Sequence, residues 1–178
     1  MIEALLAAPA RLGGVRVLAI DGPSGAGKST LAAEVVAGLR SRGCRTALVS
    51  TDAFATWDDP VAWWPRLAEG VLVPLAAGAD GAYRRMDWST GIPRPGELVR
   101  VPVPDVLVLE GVSSGRTSAR SLLSHLCWIS GGTDAERLAR SMARDGAAAR
   151  AELGRWQRFE RGWFAVDGTP EAAGTRLS

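Results

Sequence analysis

Residues 22–29 read Gly-Pro-Ser-Gly-Ala-Gly-Lys-Ser and fit G-x-x-x-x-G-K-[ST] at every fixed position. The run Val15-Arg-Val-Leu-Ala-Ile20 precedes them, β-branched and apolar, and closes on the turn cluster Asp21-Gly22-Pro23. Leu31, Val35, Val36 and Leu39 follow at helical spacing, with Gly43 as the stop. A strand, a glycine loop and a helix in this order leave the backbone little choice. The loop must curl so that successive N–H groups face one point, and the helix begins with its unpaired donors aimed there too. Such a nest holds phosphate oxygens. Gly22, Ser24, Gly25, Ala26 and Gly27 form the expected cradle. Lys28 is the expected ammonium on the terminal phosphates, Ser29 the hydroxyl on Mg2+, and Thr30 a further hydroxyl beside them.

Composition enters through that lysine. The 21 basic side chains are twenty Arg and one Lys, and the chain has no Asn. This reads as the codon bias of a GC-rich genome. Arg replaces Lys at most surface positions but fits badly where a compact ammonium must sit inside a backbone nest.

Further strands are expected at Arg45–Ser50, Asp105–Glu110 and His125–Ser130. Pro60–Gly78 is helical in pattern, interrupted by Pro65 and Pro74. Ala82–Trp88 and Glu97–Val103 pair as a hairpin. Ser118–Ser124, Thr133–Asp145 and Ala147–Phe164 read as helices. Strands alternating with helices predict an α/β fold whose parallel sheet is covered on both faces. The expectation is one domain over 1–178, with a hairpin insertion at 82–103. A chain of this length buries roughly 70% of its unfolded surface and needs no staple. Cys44 and Cys127 read as small apolar residues in a reducing compartment. The first fourteen residues lack a signal-peptide pattern, and no apolar run approaches the ~20 residues of a membrane span. A cytoplasmic location without membrane contact is expected. A net charge of +2 is too balanced to argue for nucleic-acid binding.

In parallel sheets, ligands collect at the carboxyl ends of the strands. Glu110 ends the run Val106–Leu109 and is the expected Mg2+-side acid; Asp105 begins the same run, at the wrong edge. Asp52 follows the second strand and is the expected general base for an attacking hydroxyl. Asp21 either orders the turn or helps order metal-bound water. Arg137, Arg140 and Arg144 share a helical face by their spacing of three and four. Converging on polyphosphate, they would stabilise transferring charge and close the site.

With these residues in hand, the chain resembles the uridine kinase branch of the P-loop kinases, which includes phosphoribulokinase and pantothenate kinase relatives. The matching stretches are AIDGPSGAGKST at 19–30, STDAF at 50–54, VLVLEG at 106–111 and RLARSMARD at 137–145. The resemblance implies a three-layer α/β/α architecture with the four strands in the order 2-3-1-4, and ATP with Mg2+ as cofactors. It makes Asp52, with Phe54, the base that activates a nucleoside 5′-hydroxyl. Glu110-Gly111 becomes the metal-side pair and residues 137–147 an arginine lid. Asp58 or Asp59 could serve as a ribose-side acid. Three departures bear on the acceptor. Ala55 follows Phe54 where the family has an aromatic. Met86 stands where it has a tyrosine, although Tyr83, Asp87 and Trp88 are close. Arg84 and Arg85 admit an anionic acceptor. Trp57 and Trp88 flank the acceptor side; Trp63, Trp64, Trp128, Trp156 and Trp163 are expected to pack. His125 is expected to be structural. The residues after Phe164 carry no clear strand pattern, so the family's fifth strand is expected to be missing or truncated.

The expected activity is ATP- and Mg2+-dependent phosphorylation of a small-molecule hydroxyl, with a uridine- or cytidine-like nucleoside as acceptor. Two enzyme alternatives are a cytidylate-type nucleoside monophosphate kinase and a sugar-phosphate kinase. AIDGPSGAGKS also resembles the cytidylate kinase loop, but the D-T-G-x-x-Y-R segment of that family is not present. The alternative of another class is a nucleotide-binding regulatory protein without catalysis.

Overall fold

The computed structural model describes residues 1–178. Strand β1 (Arg16–Asp21) lies between β5 (Val106–Glu110) and β6 (His125–Ile129), and β2 (Thr46–Ser50) pairs on the far side of β5. All these pairings are parallel. Side chains alternate across the sheet, so each strand feeds two cores. Val17, Ala19, Leu107 and Leu109 face one core; Leu18, Ile20, Val106 and Val108 face the other. Burial on both faces is why these strands read as unbroken apolar runs rather than as alternating ones.

Helix α1 (Ile2–Ala7) and helix α2 (Lys28–Arg40) cover the second face, through Leu5, Ala32, Val35, Val36 and Leu39. The first face is covered by α3 (Trp64–Leu67), a π turn (Ala68–Leu72) and α4 (Val73–Ala76). The expected interruption of this helix is therefore a π turn. Pro74 has no N–H, and its ring would meet the carbonyl of Gly70 in a regular helix; a widened turn relieves both. The antiparallel pair β3 (Gly81–Asp87) and β4 (Arg94–Val101) forms a separate two-stranded sheet, with an irregularity between Arg84 and Met86. Residues Thr117–Leu122 form a 3-10 helix. Helices α5 (Asp134–Asp145) and α6 (Arg150–Asp167) follow, joined by a 3-10 turn at Ala147–Ala149. Thr133 starts α5 with a capping box to Glu136. No helix is long and apolar enough to cross a membrane.

Of the two expectations for the fifth strand, missing or truncated, the structure bears out a short one. After α6 and the short α7 (Thr169–Ala172), strand β7 (Thr175–Leu177) pairs in parallel with β6. The sheet order is β2-β5-β1-β6-β7, so its first four strands stand in the expected sequence. Gly168 turns the chain back with a left-handed cap. Gly174 then donates to the Leu126 carbonyl at 3.0 Å, and Ser130 donates to that of Leu177 at 2.9 Å. His125 Nε2 pairs with Thr175 Oγ1 at 2.8 Å and ties the new edge. A three-residue strand of Thr, Arg and Leu has no apolar run to announce it.

Candidate active site

The phosphate loop runs from the carboxyl end of β1 to the first turn of α2. Gly25 has φ +74°, and a Cβ there would lie 2.3 Å from the Arg137 carbonyl oxygen, so only glycine fits. Gly27 precedes α2, and Lys28 and Ser29 are its first residues. Lys28 is buried and its Nζ donates to the Pro23 carbonyl at 2.9 Å, across the curl of the loop. Its charge is thus held inside the loop rather than in solvent.

Ser29 and Glu110 come together as the sequence pattern suggests: Ser29 Oγ donates to Glu110 Oε2 at 3.2 Å. Glu110 is buried, which pushes its carboxyl up; a Ser50 hydrogen bond lowers it, Asp52 raises it, and Lys28 and Ser29 lower it. Asp21 is fully buried at the root of the loop. It accepts backbone N–H groups from Gly22 (2.7 Å), Ser113 (3.0 Å) and Gly115 (2.8 Å). Burial pushes its carboxyl up to about 7, against the pull of these donors and Lys28. Its role is to tie the loop after β5 to the end of β1.

Asp52 sits on a 3-10 turn (Thr51–Ala53) directly after β2. Ser50 accepts the Asp52 N–H at 3.3 Å, which caps the turn and leaves the carboxylate free. No ion pair or hydrogen bond engages that carboxylate. Gly111 supports the turn from β5. It has φ +127°, and a Cβ there would lie 2.0 Å from Thr51 Oγ1. Thr51 is buried and β-branched, so it cannot yield cheaply. Gly111→Ala is expected to lower unfolding free energy by about 1–3 kcal/mol in urea denaturation. A variant as stable as the parent would show that the turn is not held there.

Asp52 opens onto a cleft of about 960 Å³. Its walls include Ser24 of the loop, Trp57, Asp58, Trp88, Arg144 and Trp156. The three indoles pack edge to face: Trp57 lies 5.0 Å from Trp88 and 5.5 Å from Trp156, centroid to centroid. Trp57 Nε1 donates to Gly91 O at 2.9 Å, and Trp88 Nε1 to Asp52 O at 3.2 Å. The hairpin is thereby fastened to the turn that carries Asp52. Trp57 and Trp88 both line this cleft. Trp156 packs against the core as expected and also lines the cleft; four residues before Glu160 on α6, it carries no sequence mark that separates a wall from a core.

Other expected acceptor residues lie elsewhere. Phe54 and Tyr83 are buried against each other, 4.7 Å apart, with Trp63 stacked 5.7 Å from Phe54. They border a second cavity of about 480 Å³, with Arg66, Arg84 and Met86. Arg85 pairs with Glu97 at 3.3 Å on the exposed hairpin. Asp87 accepts the Ser89 N–H at 2.9 Å, and Asp59 pairs with Arg66 at 3.5 Å. Of the acids proposed for the ribose side, only Asp58 reaches the cleft.

The three lid arginines do not converge. Arg137 is buried and spent on the turn before α5, bonded to the Ser130 and Gly132 carbonyls and to Asp134. Arg140 Nε donates to the Gly25 carbonyl at 2.7 Å, and its Nη2 to that of Gly131. Arg144 alone faces the cleft. Its guanidinium is forked to Asp145 at 2.6 and 2.7 Å. Asp145 holds it above its ordinary value, and Asp52 and Glu110 add to this. A shared helical face therefore spans three different surroundings: a turn, the loop and the cleft. Thr30 is exposed on α2 beside Ser29.

The sheet order and the loop give the chain a P-loop α/β/α fold, the fold shared by uridine kinase-like structures. The chain superimposes on a possible uridine kinase from Bacillus stearothermophilus with a TM-score of 0.73 and 18% identity, over 99% of this chain and 95% of that one. A protein assigned as a fructose transport system kinase, from Silicibacter, gives 0.64 and 21%, over 99% and 94%. No protein-family model and no curated protein matches the chain.

Proposed function

We propose that the chain is an ATP- and Mg2+-dependent kinase that phosphorylates a hydroxyl of an uncharged small molecule, a nucleoside being the best fit. The observation that carries this reading is the free carboxylate of Asp52, in a cleft that it shares with Ser24 of the phosphate loop. The donor set suits the cofactor. The loop supplies the start of α2 and a buried ammonium. Mg2+ is characteristically held by one or two protein oxygens plus phosphates, which Ser29 and Glu110 can provide. When bound, Mg·ATP supplies the phosphoryl group and a cation that neutralises its oxygens.

The chain's own groups do the remainder. The loop and Lys28 bind and orient anionic oxygens. Asp52 accepts the proton of the attacking hydroxyl. The indoles bind flat apolar surface and exclude water, and Asp58 accepts hydrogen bonds from acceptor hydroxyls. Arg144 puts a guanidinium on the wall of the cleft that Asp52 also lines. The free thiols of Cys44 and Cys127 suit a reducing, cytosolic setting.

Charge favours an uncharged acceptor over a nucleotide or a sugar phosphate. The cleft is lined by four carboxylates (Asp52, Asp58, Asp145, Glu152) and two guanidiniums (Arg144, Arg155). Both arginines are paired, Arg144 to Asp145 and Arg155 to Glu152. Arg84 and Arg85, the candidate anion clamps, do not line the cleft. A second phosphate would meet like charge there. With ATP and Mg2+, uridine or cytidine is expected to exceed the corresponding monophosphates in kcat/KM by at least about tenfold, the effect of roughly 1.4 kcal/mol. Rapid turnover of CMP with none of uridine would overturn this choice of acceptor.

A further inference from the structure

Glu160 lies in the middle of α6, far from the loop in sequence, and is 1% exposed. Its Oε2 accepts the Ser24 backbone N–H at 2.9 Å, and its Oε1 accepts the Ser24 hydroxyl. A buried carboxylate is costly unless its oxygens are satisfied, and here both are spent on one loop residue. Burial pushes the Glu160 carboxyl up, while Lys28 and the two Ser24 bonds pull it down. The neighbours of Ser24 are also gripped: the Pro23 carbonyl by Lys28 and the Gly25 carbonyl by Arg140. Three successive loop residues are thus held by three side chains from α2, α6 and α5.

Helix α6 has two further attachments. Gln157 Nε2 donates to the Asp134 carbonyl at 3.2 Å, and Arg161 pairs with the Asp134 carboxylate at 2.5 Å, so α6 is fastened to the start of α5. Trp156, one turn before Glu160, lines the acceptor cleft, as does Ser24. One rigid helix therefore touches the phosphate loop, the lid helix and the acceptor wall.

We propose that Glu160 is a positioning residue for nucleotide binding: by holding Ser24 from α6 it presets the phosphate loop and registers it against the lid and the acceptor cleft. The inference rests on the reading of the loop as the nucleotide site. Without the clamp, Ser24 is free to swing, and the loop must be ordered at the expense of binding. Glu160 does not touch the reacting atoms; it acts through Ser24.

The test is calorimetric binding of ADP with Mg2+ to the full chain, beside the thermal midpoint of the free protein. Glu160→Gln keeps the shape but replaces one acceptor oxygen by a donor. It is expected to weaken ADP by about tenfold or more, with the midpoint of the free protein nearly kept. Ser24→Ala is expected to weaken ADP by a smaller factor, because the backbone bond remains. The double variant is expected to bind no worse than Glu160→Gln alone, since both changes break one contact. A purely structural role for Glu160 predicts a large fall in midpoint and additive losses instead. Unchanged ADP affinity in Glu160→Gln, or full additivity, overturns the proposal. Should Glu160→Gln fail to fold, Glu160→Asp decides: it keeps the charge but shortens the reach to Ser24, so weaker ADP at an unchanged midpoint supports the clamp, and parental affinity overturns it. A parent protein that binds neither ADP nor ATP removes the nucleotide-site reading itself, a result distinct from a parent that binds and a variant that binds equally.

Discussion

Lys28→Arg is expected to lose about 10²–10³ of phosphoryl-transfer turnover while its unfolding midpoint stays near that of the parent. Twenty other basic positions of the chain are arginine, so the residue at 28 is under a constraint they escape. The geometry shows which one. Lys28 is 8% exposed and bridges the loop to the Pro23 carbonyl at 2.9 Å. An ammonium is a compact point charge that can turn its three donors between a carbonyl and phosphate oxygens. A guanidinium is wider, planar and fixed in its fork, and the loop at Gly25 already lies against the Arg137 backbone with no room to widen. The charge survives the substitution, so a loss of turnover would report placement rather than sign. Near-parental activity in a coupled ADP-release assay would count heavily against the phosphate-loop reading.

Asp52→Asn is expected to lower kcat by about 10²–10⁴, the usual contribution of a general base, and to leave ADP affinity nearly unchanged. The substitution is nearly isosteric. The turn is capped through the Asp52 backbone N–H, not through its side chain, so the fold does not depend on the carboxylate. Asparagine cannot accept the hydroxyl proton at neutral pH. The same experiment addresses a regulatory protein that binds nucleotide without catalysis. If parent and variant show one residual ATPase rate and no acceptor is ever phosphorylated, the catalytic assignment fails.

These two positions were legible from the chain because each follows from a short-range rule. Lys28 belongs to a loop whose spacing is its mechanism, and Asp52 and Glu110 close apolar strands at the edge where parallel sheets gather ligands. The arginines show the limit of such rules. Spacing of three and four puts Arg137, Arg140 and Arg144 on one side of α5, and they do share it. What that side meets changes along its length, from the turn at Ser130–Asp134 to the loop and then the cleft. Phe54 and Tyr83 lie off the cleft for the related reason that an aromatic beside a strand-end turn can point inward as readily as outward. Here they fill the core under Trp63.

By itself the sequence determined the loop, the alternation of strands and helices and the identity of the acids at the strand ends, while the order of the first four strands followed only from the family resemblance. The loop, the alternation and the acids depend on local backbone geometry, on hydrophobic period and on strand polarity, all of which are written along the chain. The tertiary structure alone decided the fifth strand, the inward turn of Phe54, the separate surroundings of the three arginines, and the meeting of Trp156 with the cleft and of Glu160 with the loop. Each depends on pairing across large sequence separations: β7 with β6, and α6 with the loop 136 residues away. Such contacts are chosen by the packing of whole elements, and no local pattern encodes their partners.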